Sequence, residues 1–303
     1  MGIRSNRSKE HDAFFPSLTV RQAERLRRLS VEALARHGIR TQAFGDVLKD
    51  GHGLEFGLDN VHRRLAAVPE RRWHTVIRDH FAQMVAALQE ASPSELAVAE
   101  LLARCKVKLC PPDLMADSPQ EHFTYRRSVA DLDLAIVVDS STSVAYLRDS
   151  DVARVDRDVL WATARANLLE SGPGRPEQVV LGGGSYFALE SDSVFQGSWL
   201  AYPNELAGRL GFVPGPFGAL LSAPASTALN IHLIGDGTTQ ADGAAMLAAS
   251  LRQYAREPRP LSPHLYWWDR TDIIAITAFD DAHRPSINVP PELGEVFSRE
   301  ARG

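Results

Sequence analysis

The sequence predicts an α+β protein: mainly antiparallel sheet with interspersed helices, preceded by a helix-rich N-terminal unit with a small β-hairpin. Three observations carry this reading. Before the Pro111-Pro112 pair, apolar residues recur mostly at helical spacing. Beyond it, short runs rich in β-branched and aromatic residues take over. Most of these runs are separated by turn-length segments, which favours antiparallel pairing over a strict series of parallel crossovers.

Residues 1–16 read as a flexible tail ending at Pro16. Thr19 and Gln22 make a T-x-x-Q capping box, and Gly38 closes the helix that it opens. Val20, Ala23, Leu26, Leu29, Ala33 and Leu34 form its apolar stripe, with Arg21, Arg25, Arg28 and Arg36 mostly off it. Two strands, 41–48 and 54–58, are expected around the turn Asp50-Gly51-His52-Gly53. From Pro69 onward, Trp73, Ile77, His80, Phe81, Met84 and Leu88 share one helix face. His80 has no second ligand-type residue at i+4 and reads as a core or boundary histidine. A further helix at 95–104 leads to the proline-bearing stretch 111–119, the expected boundary between units 17–118 and 119–280.

In the second unit, 123–129, 132–138 and 143–147 read as strands, and 158–169 as a helix ended by Ser171-Gly172-Pro173-Gly174. Strands at 179–181 and 186–189 flank a triple-glycine kink. A helix at 195–210 is interrupted by Pro203, and strands at 218–221 and 229–234 follow. An Ala/Leu helix at 240–256 precedes a closing hairpin, 265–268 with 273–277. Trp267 and Trp268 are adjacent, so strand alternation expects one buried and one at an edge. Residues 281–303 read as a loosely held tail.

The chain has 303 residues, enough for about two domains. With 33 basic and 38 acidic residues the net charge is −5, which argues against a nucleic-acid or acidic-membrane surface. No stretch has the length of a membrane span. Cys105 and Cys110 are the only cysteines. They suit a reducing, cytoplasmic setting better than a disulfide framework or a zinc site.

Walker, dinucleotide, zinc-protease and nucleophile-elbow strings are missing. One string stands out. Asp139-Ser140-Ser141-Thr142-Ser143 follows an apolar run and matches D-x-S-x-S, and Gly235-Asp236-Gly237 follows another. The pair resembles the metal-ion-dependent adhesion site of von Willebrand factor A domains. That likeness implies Asp139, Ser141, Ser143 and Asp236 around Mg²⁺, a hard cation suited to oxygen ligands. Against it, Val144-Ala145-Tyr146-Leu147 continues as strand where that fold needs a helix, so 139–142 also reads as a plain hairpin turn. Asp149, Asp151, Asp156 and Asp158 precede a helix and read as caps, because the order of a calcium loop is missing.

The second half carries further patterns: Leu134-Ala-Ile-Val-Val-Asp139, Ala162-Thr-Ala-Arg-Ala-Asn167-Leu168, Tyr186-Phe187-Ala188-Leu189, Leu220-Leu221-Ser222-Ala223-Pro224 and Leu261-Ser262-Pro263-His264-Leu265-Tyr266. In these it resembles the YtpQ-like family of uncharacterised bacterial proteins (domain of unknown function 1444), over about residues 124–277. The resemblance implies an architecture and supplies no activity. The expectation is therefore a non-catalytic binding or regulatory module acting on an unknown protein or small ligand, without a resident cofactor. The Mg²⁺ site is the alternative. A third expectation is an acidic partner on the arginine face of the first helix.

Overall fold

The computed structural model describes residues 10–66, 68–111, 114, 123–140, 143–257 and 259–294. The chain divides into two compact units. One comprises Met1–Ala91 with Ser141–Ser143 and Arg256–Pro258; the other comprises Ser92–Ser140, Val144–Ala255 and Arg259–Gly303. The architecture is α+β, and the strand pairs are antiparallel. Among the described residues, no helix is long and apolar enough to cross a membrane.

In the first unit, helix α1 (Val20–Ala35) starts at the expected capping box. Gln22 N donates to Thr19 Oγ1 at 3.3 Å, and Thr19 N donates to Gln22 Oε1 at 3.0 Å. Its buried residues Ala23, Leu26, Ser30, Ala33 and Leu34 follow helical spacing. The predicted hairpin is a three-stranded meander of β1 (Thr41–Phe44), β2 (Val47–Asp50) and β3 (Glu55–Gly57). The extra turn lies at Gly45-Asp46, where Gly45 takes a φ of 64° that suits glycine. Helices α2 (Asp59–Leu65) and α3 (Trp73–Leu88) complete the unit around Phe15, Leu26, Leu48, Phe56, Ile77 and Phe81. The end of the expected tail belongs to this core. Phe15 is fully buried, and Asp12 meets Arg27 through two bonds of 2.9 Å.

The second unit begins before the expected proline-rich boundary, because helix α4 (Val98–Arg104) runs directly into strand β4 (Cys105–Cys110). β4 pairs with β6 (Leu132–Asp139), which also pairs with β5 (Arg127–Val129) and β7 (Val144–Tyr146). Helices α5 (Asp149–Val152) and α6 (Arg157–Ser171) follow. The Asp156 carboxylate caps α6 by accepting from the amides of Asp158 and Val159.

A six-stranded sheet has the order β13-β12-β10-β11-β9-β8. Its strands are β8 (Glu177–Leu181), β9 (Gly184–Glu190), β10 (Ala219–Ala225), β11 (Ala228–Leu233), β12 (Tyr266–Trp268) and β13 (Ile273–Ala275). Gly182 and Gly183, expected as a kink, form the two-residue turn of the β8–β9 hairpin with φ of 60° and 86°. Pro203 does not interrupt a helix. It occupies the first turn of α7 (Pro203–Leu210), where its missing N–H costs nothing, after a separate 3-10 segment at Gln196–Ala201.

Helix α8 (Gln240–Arg256) shares a core with one sheet face through Met246, Leu247, Leu220 and Trp267. Leu221, Trp268, Leu160 and Trp199 belong to the larger core of the unit. Both tryptophans are therefore buried, because β12 is an interior strand with a packed layer on each face. The expected terminal tail also contributes structure. β14 (Thr277–Phe279) pairs with β15 (Pro285–Ile287), and Leu293 is buried.

Candidate binding site

β6 ends at Asp139, which pairs with Val144 at the start of the antiparallel β7. Asp139 Oδ2 accepts from Lys106 Nζ at 2.8 Å. The Asp139 carbonyl accepts from Arg104 Nε at 3.3 Å, and Arg104 Nη2 donates to Ser140 Oγ. Ser141 lies outside the described residues. Ser143 Oγ donates to Glu90 Oε2 at 2.6 Å, within the first unit. Asp236 is exposed in the loop after β11.

Asp139 ends β6 and Asp236 follows β11, strands of different sheets. Lys106, which pairs with Asp139, stands over the Phe195 ring at 4.9 Å, and that segment bonds to the turn before β11 through Gly197 N and Ser226 O, 3.0 Å apart. Asp236 follows the far end, Leu233, and a six-residue strand spans about 17 Å. The structure joins Asp139 to Lys106, Arg104 and Ser140, and no contact links Asp236 to them among the described residues. The Lys106 ammonium engages the Asp139 carboxylate at Oδ2. Among the described residues, no group of three His, Cys, Asp or Glu side chains is placed to hold a metal ion.

A second cluster has a hydrolase-like composition but different wiring. His232 Nδ1 lies 2.7 Å from the Ser185 carbonyl, and Nε2 lies 3.0 Å from Thr238 Oγ1. The carbonyl can only accept, so in the neutral ring Nδ1 carries the proton and Nε2 accepts from the threonine. Ser185 Oγ donates to Asp242 Oδ1 at 3.5 Å instead of meeting the imidazole. The hydroxyl that does meet the imidazole is that of Thr238, which is buried. Asp242 is a cap and a clasp. It accepts from Thr239 N and Ser185 N, each at 2.7 Å, tying the start of α8 to the β8–β9 hairpin. Desolvation raises its carboxyl, but these backbone N–H groups outweigh that and leave it below the usual range.

The third cluster was not singled out by sequence. Lys106 and Lys108 are two residues apart on β4, so alternation puts them on one face. Lys108 is only 9 % exposed. Its Nζ donates to the Val194 carbonyl at 3.0 Å and to Ser226 Oγ at 3.2 Å, and lies 5.9 Å from the Phe195 ring centre. Among the described residues no carboxylate forms an ion pair with it. Desolvation, with a smaller contribution from the Arg259 charge, lowers its amine to about 8. Beside Phe195, Gln196 is buried; its Oε1 accepts from Ser191 Oγ at 3.1 Å, while Nε2 finds no partner among the described residues. No protein-family model, no curated protein and no solved structure matches this chain.

The neighbouring thiols are inert by comparison. Burial pushes Cys105 up to about 11 and Cys110 up to about 12, so neither is an available thiolate near neutral pH. Lys108 presents a different chemistry: a buried amine held by two neutral oxygens, with no counter-charge among the described residues. An ammonium has three donors, and two of these are spent on Val194 and Ser226. The sequence signal for this site was faint. Alternation in Lys106-Val107-Lys108-Leu109 suggests two solvated lysines, whereas residues 86 and 118 positions away cover the second one.

Proposed function

We propose that this protein is a non-catalytic binding module whose ligand presents a carboxylate or phosphate to Lys108. The observation that supports this reading is a buried amine with no counter-ion among the described residues. A charge in that position is unfavourable alone and favourable once an anion joins it. The other polar clusters do not compete for this role: Asp139 is paired with Lys106, and His232 and Asp242 serve the β8–β9 hairpin and α8. At neutral pH most of the Lys108 amine carries its proton, since it titrates at about 8. The third N–H of the ammonium is then left for an acceptor on the ligand. A reducing, cytoplasmic setting fits the module, because Cys105 and Cys110 are both free thiols.

Titration calorimetry with oxalate and with inorganic phosphate tests the proposal. Wild-type protein should bind at least one of the two anions near neutral pH, and Lys108→Met should lose at least tenfold in affinity. Absence of binding to either anion, or equal binding by the variant, would overturn it.

A further inference from the structure

The six-stranded sheet ends on one side at β13, three residues long, and on the other at β8, five residues long. A sheet edge carries unpaired N–H and C=O groups, and proteins guard it with a lysine, a proline, a bulge or a very short strand. β13 has its shortness. β8, Glu177-Gln178-Val179-Val180-Leu181, has none of these devices, and its register with β9 runs unbroken. Among the described residues no strand pairs with its outer side. Val180 is 73 % exposed on it.

The hairpin determines which main-chain groups are left over. Leu181 and Gly184 flank the two-residue turn, so Leu181, Val179 and Glu177 direct their N–H and C=O groups to β9. Gln178 and Val180 direct theirs away from it. The residue opposite Val180 has the same phase. Ser185 N donates to Asp242 Oδ1 and Ser185 O meets His232 Nδ1, so neither group serves β8. Among the described residues no backbone hydrogen bond outside the β8–β9 ladder reaches Gln178 or Val180. Apolar surface continues beside this edge. Phe187, opposite Gln178, packs on Phe212 with ring centres 4.9 Å apart, and the next residue, Val213, is 88 % exposed.

We infer that β8 pairs antiparallel with β8 of a second copy of this chain, about a two-fold axis at Val179. The strand is self-complementary in this register. Gln178 faces Val180 of the second copy, the two exchange both of their N–H···O=C bonds, and the symmetry repeats the exchange on the other side of the axis. Every outward main-chain group of Gln178 and Val180 is then used. An axis at Gln178 would set Val180 against Pro176, which has no N–H, and an axis at Val180 would set Gln178 against the turn residue Gly182. Charge selects the antiparallel direction. Glu177 is the only charged residue of the strand. Parallel in-register pairing would face it with its own copy, whereas the two-fold faces it with Leu181 and parts the two carboxylates by about 14 Å along the strand. The turn leaves room for the approach, since a Cβ added at Gly182 or Gly183 would meet nothing within 4 Å. The product is one continuous sheet through both copies, formed by strand addition at an open edge.

The test is sedimentation equilibrium of the full-length chain from low to high micromolar concentration, with two variants. Wild type should pass from monomer to dimer as concentration rises. Val180→Pro removes an N–H that faces away from β9, so it should keep the wild-type circular dichroism and sediment as monomer throughout. Val179→Cys reads the register directly and needs no proline in the strand. The axis brings the two residues 179 to a Cα separation of about 4.5 Å, within disulfide reach, whereas Glu177→Cys faces Leu181. Mild oxidation should therefore link Val179→Cys into a covalent dimer at least about tenfold faster than Glu177→Cys. Cys105 and Cys110 are buried and should leave the wild type unlinked. A wild type that stays monomeric at every concentration would overturn the inference and leave the edge to a different chain. A dimer that persists in folded Val180→Pro, or equal linking of the two cysteine variants, would overturn it as well.

Discussion

Replacing Lys108 with methionine removes the charge while keeping a long, flexible apolar side chain on β4. The fall of this amine from 10.5 to about 8 corresponds to about 3 kcal/mol of disfavour for the ammonium in the folded state. Because the folded value lies below the unfolded one, the unfolded chain binds more protons at this amine between about pH 8 and 10.5. The wild type therefore gains stability as pH rises through that window. Below it the penalty is fully present. Methionine removes that penalty but forfeits the bonds to Val194 O and Ser226 Oγ, worth about 1 kcal/mol each. The two proteins should thus be nearly equally stable near neutral pH. The wild type should pull ahead by about 3 kcal/mol at the alkaline end. Urea unfolding of both proteins across the window measures this difference. The buried thiols Cys105 and Cys110, also raised, weaken both proteins at high pH and largely cancel in the comparison. Stability curves that stay parallel from neutral pH to the alkaline end would refute the reasoning, since they would show the lysine to be ordinarily solvated.

Other expectations follow from individual contacts. Gly218→Ala should cost about 3 kcal/mol or more in urea unfolding, because a Cβ there meets the Trp268 carbonyl at 1.9 Å and φ is +69°. Gly182→Ala, with φ of +60° and open space, should cost only about 1 kcal/mol by the same assay. Asp242→Ala should destabilise by about 3 kcal/mol at neutral pH, since Thr239 N and Ser185 N lose a charged acceptor. Its carboxyl is held below 3.8, so that contribution is lost as pH falls through the folded value, and the two unfolding curves should converge there. Tyr125→Phe should cost about 1 kcal/mol by thermal or urea unfolding, since the buried hydroxyl lies 3.0 Å from Ile136 O and 2.8 Å from Leu147 O.

The antiparallel α+β class was legible because its signals are local. The Thr19/Gln22 box, the stripe on α1 and the β-branched run of β6 each depend on residues a few positions apart. What escaped depends on distant chain. Trp267 and Trp268 are both buried because β10 lies on one side of β12 and β13 on the other, with cores on both faces. Alternation within β12 holds no record of those layers. Lys108 is covered by Val194 and Ser226, from a loop and a turn that meet β4 only in the folded chain. The D-x-S-x-S string was visible as a motif, but Lys106, Arg104 and Glu90 determine what its side chains touch, and only the fold brings them there.

Helix α8 meets the six-stranded sheet with many small side chains, a smooth surface that by itself tolerates sliding. Three polar atoms interrupt it. Ser222 Oγ and Ser250 Oγ lie 2.6 Å apart, and Asn230 Nδ2 donates to Ser222 Oγ at 3.0 Å, all of them buried. Moving the helix by about one turn would bring Met246 or Tyr254 to the place of Ser250. Ser222 and Asn230 would then face an apolar seam, one hydrogen bond short at a cost of about 1–3 kcal/mol each. The serine–asparagine trio therefore acts as a detent: it adds little net attraction, yet it makes every misaligned docking of α8 costly.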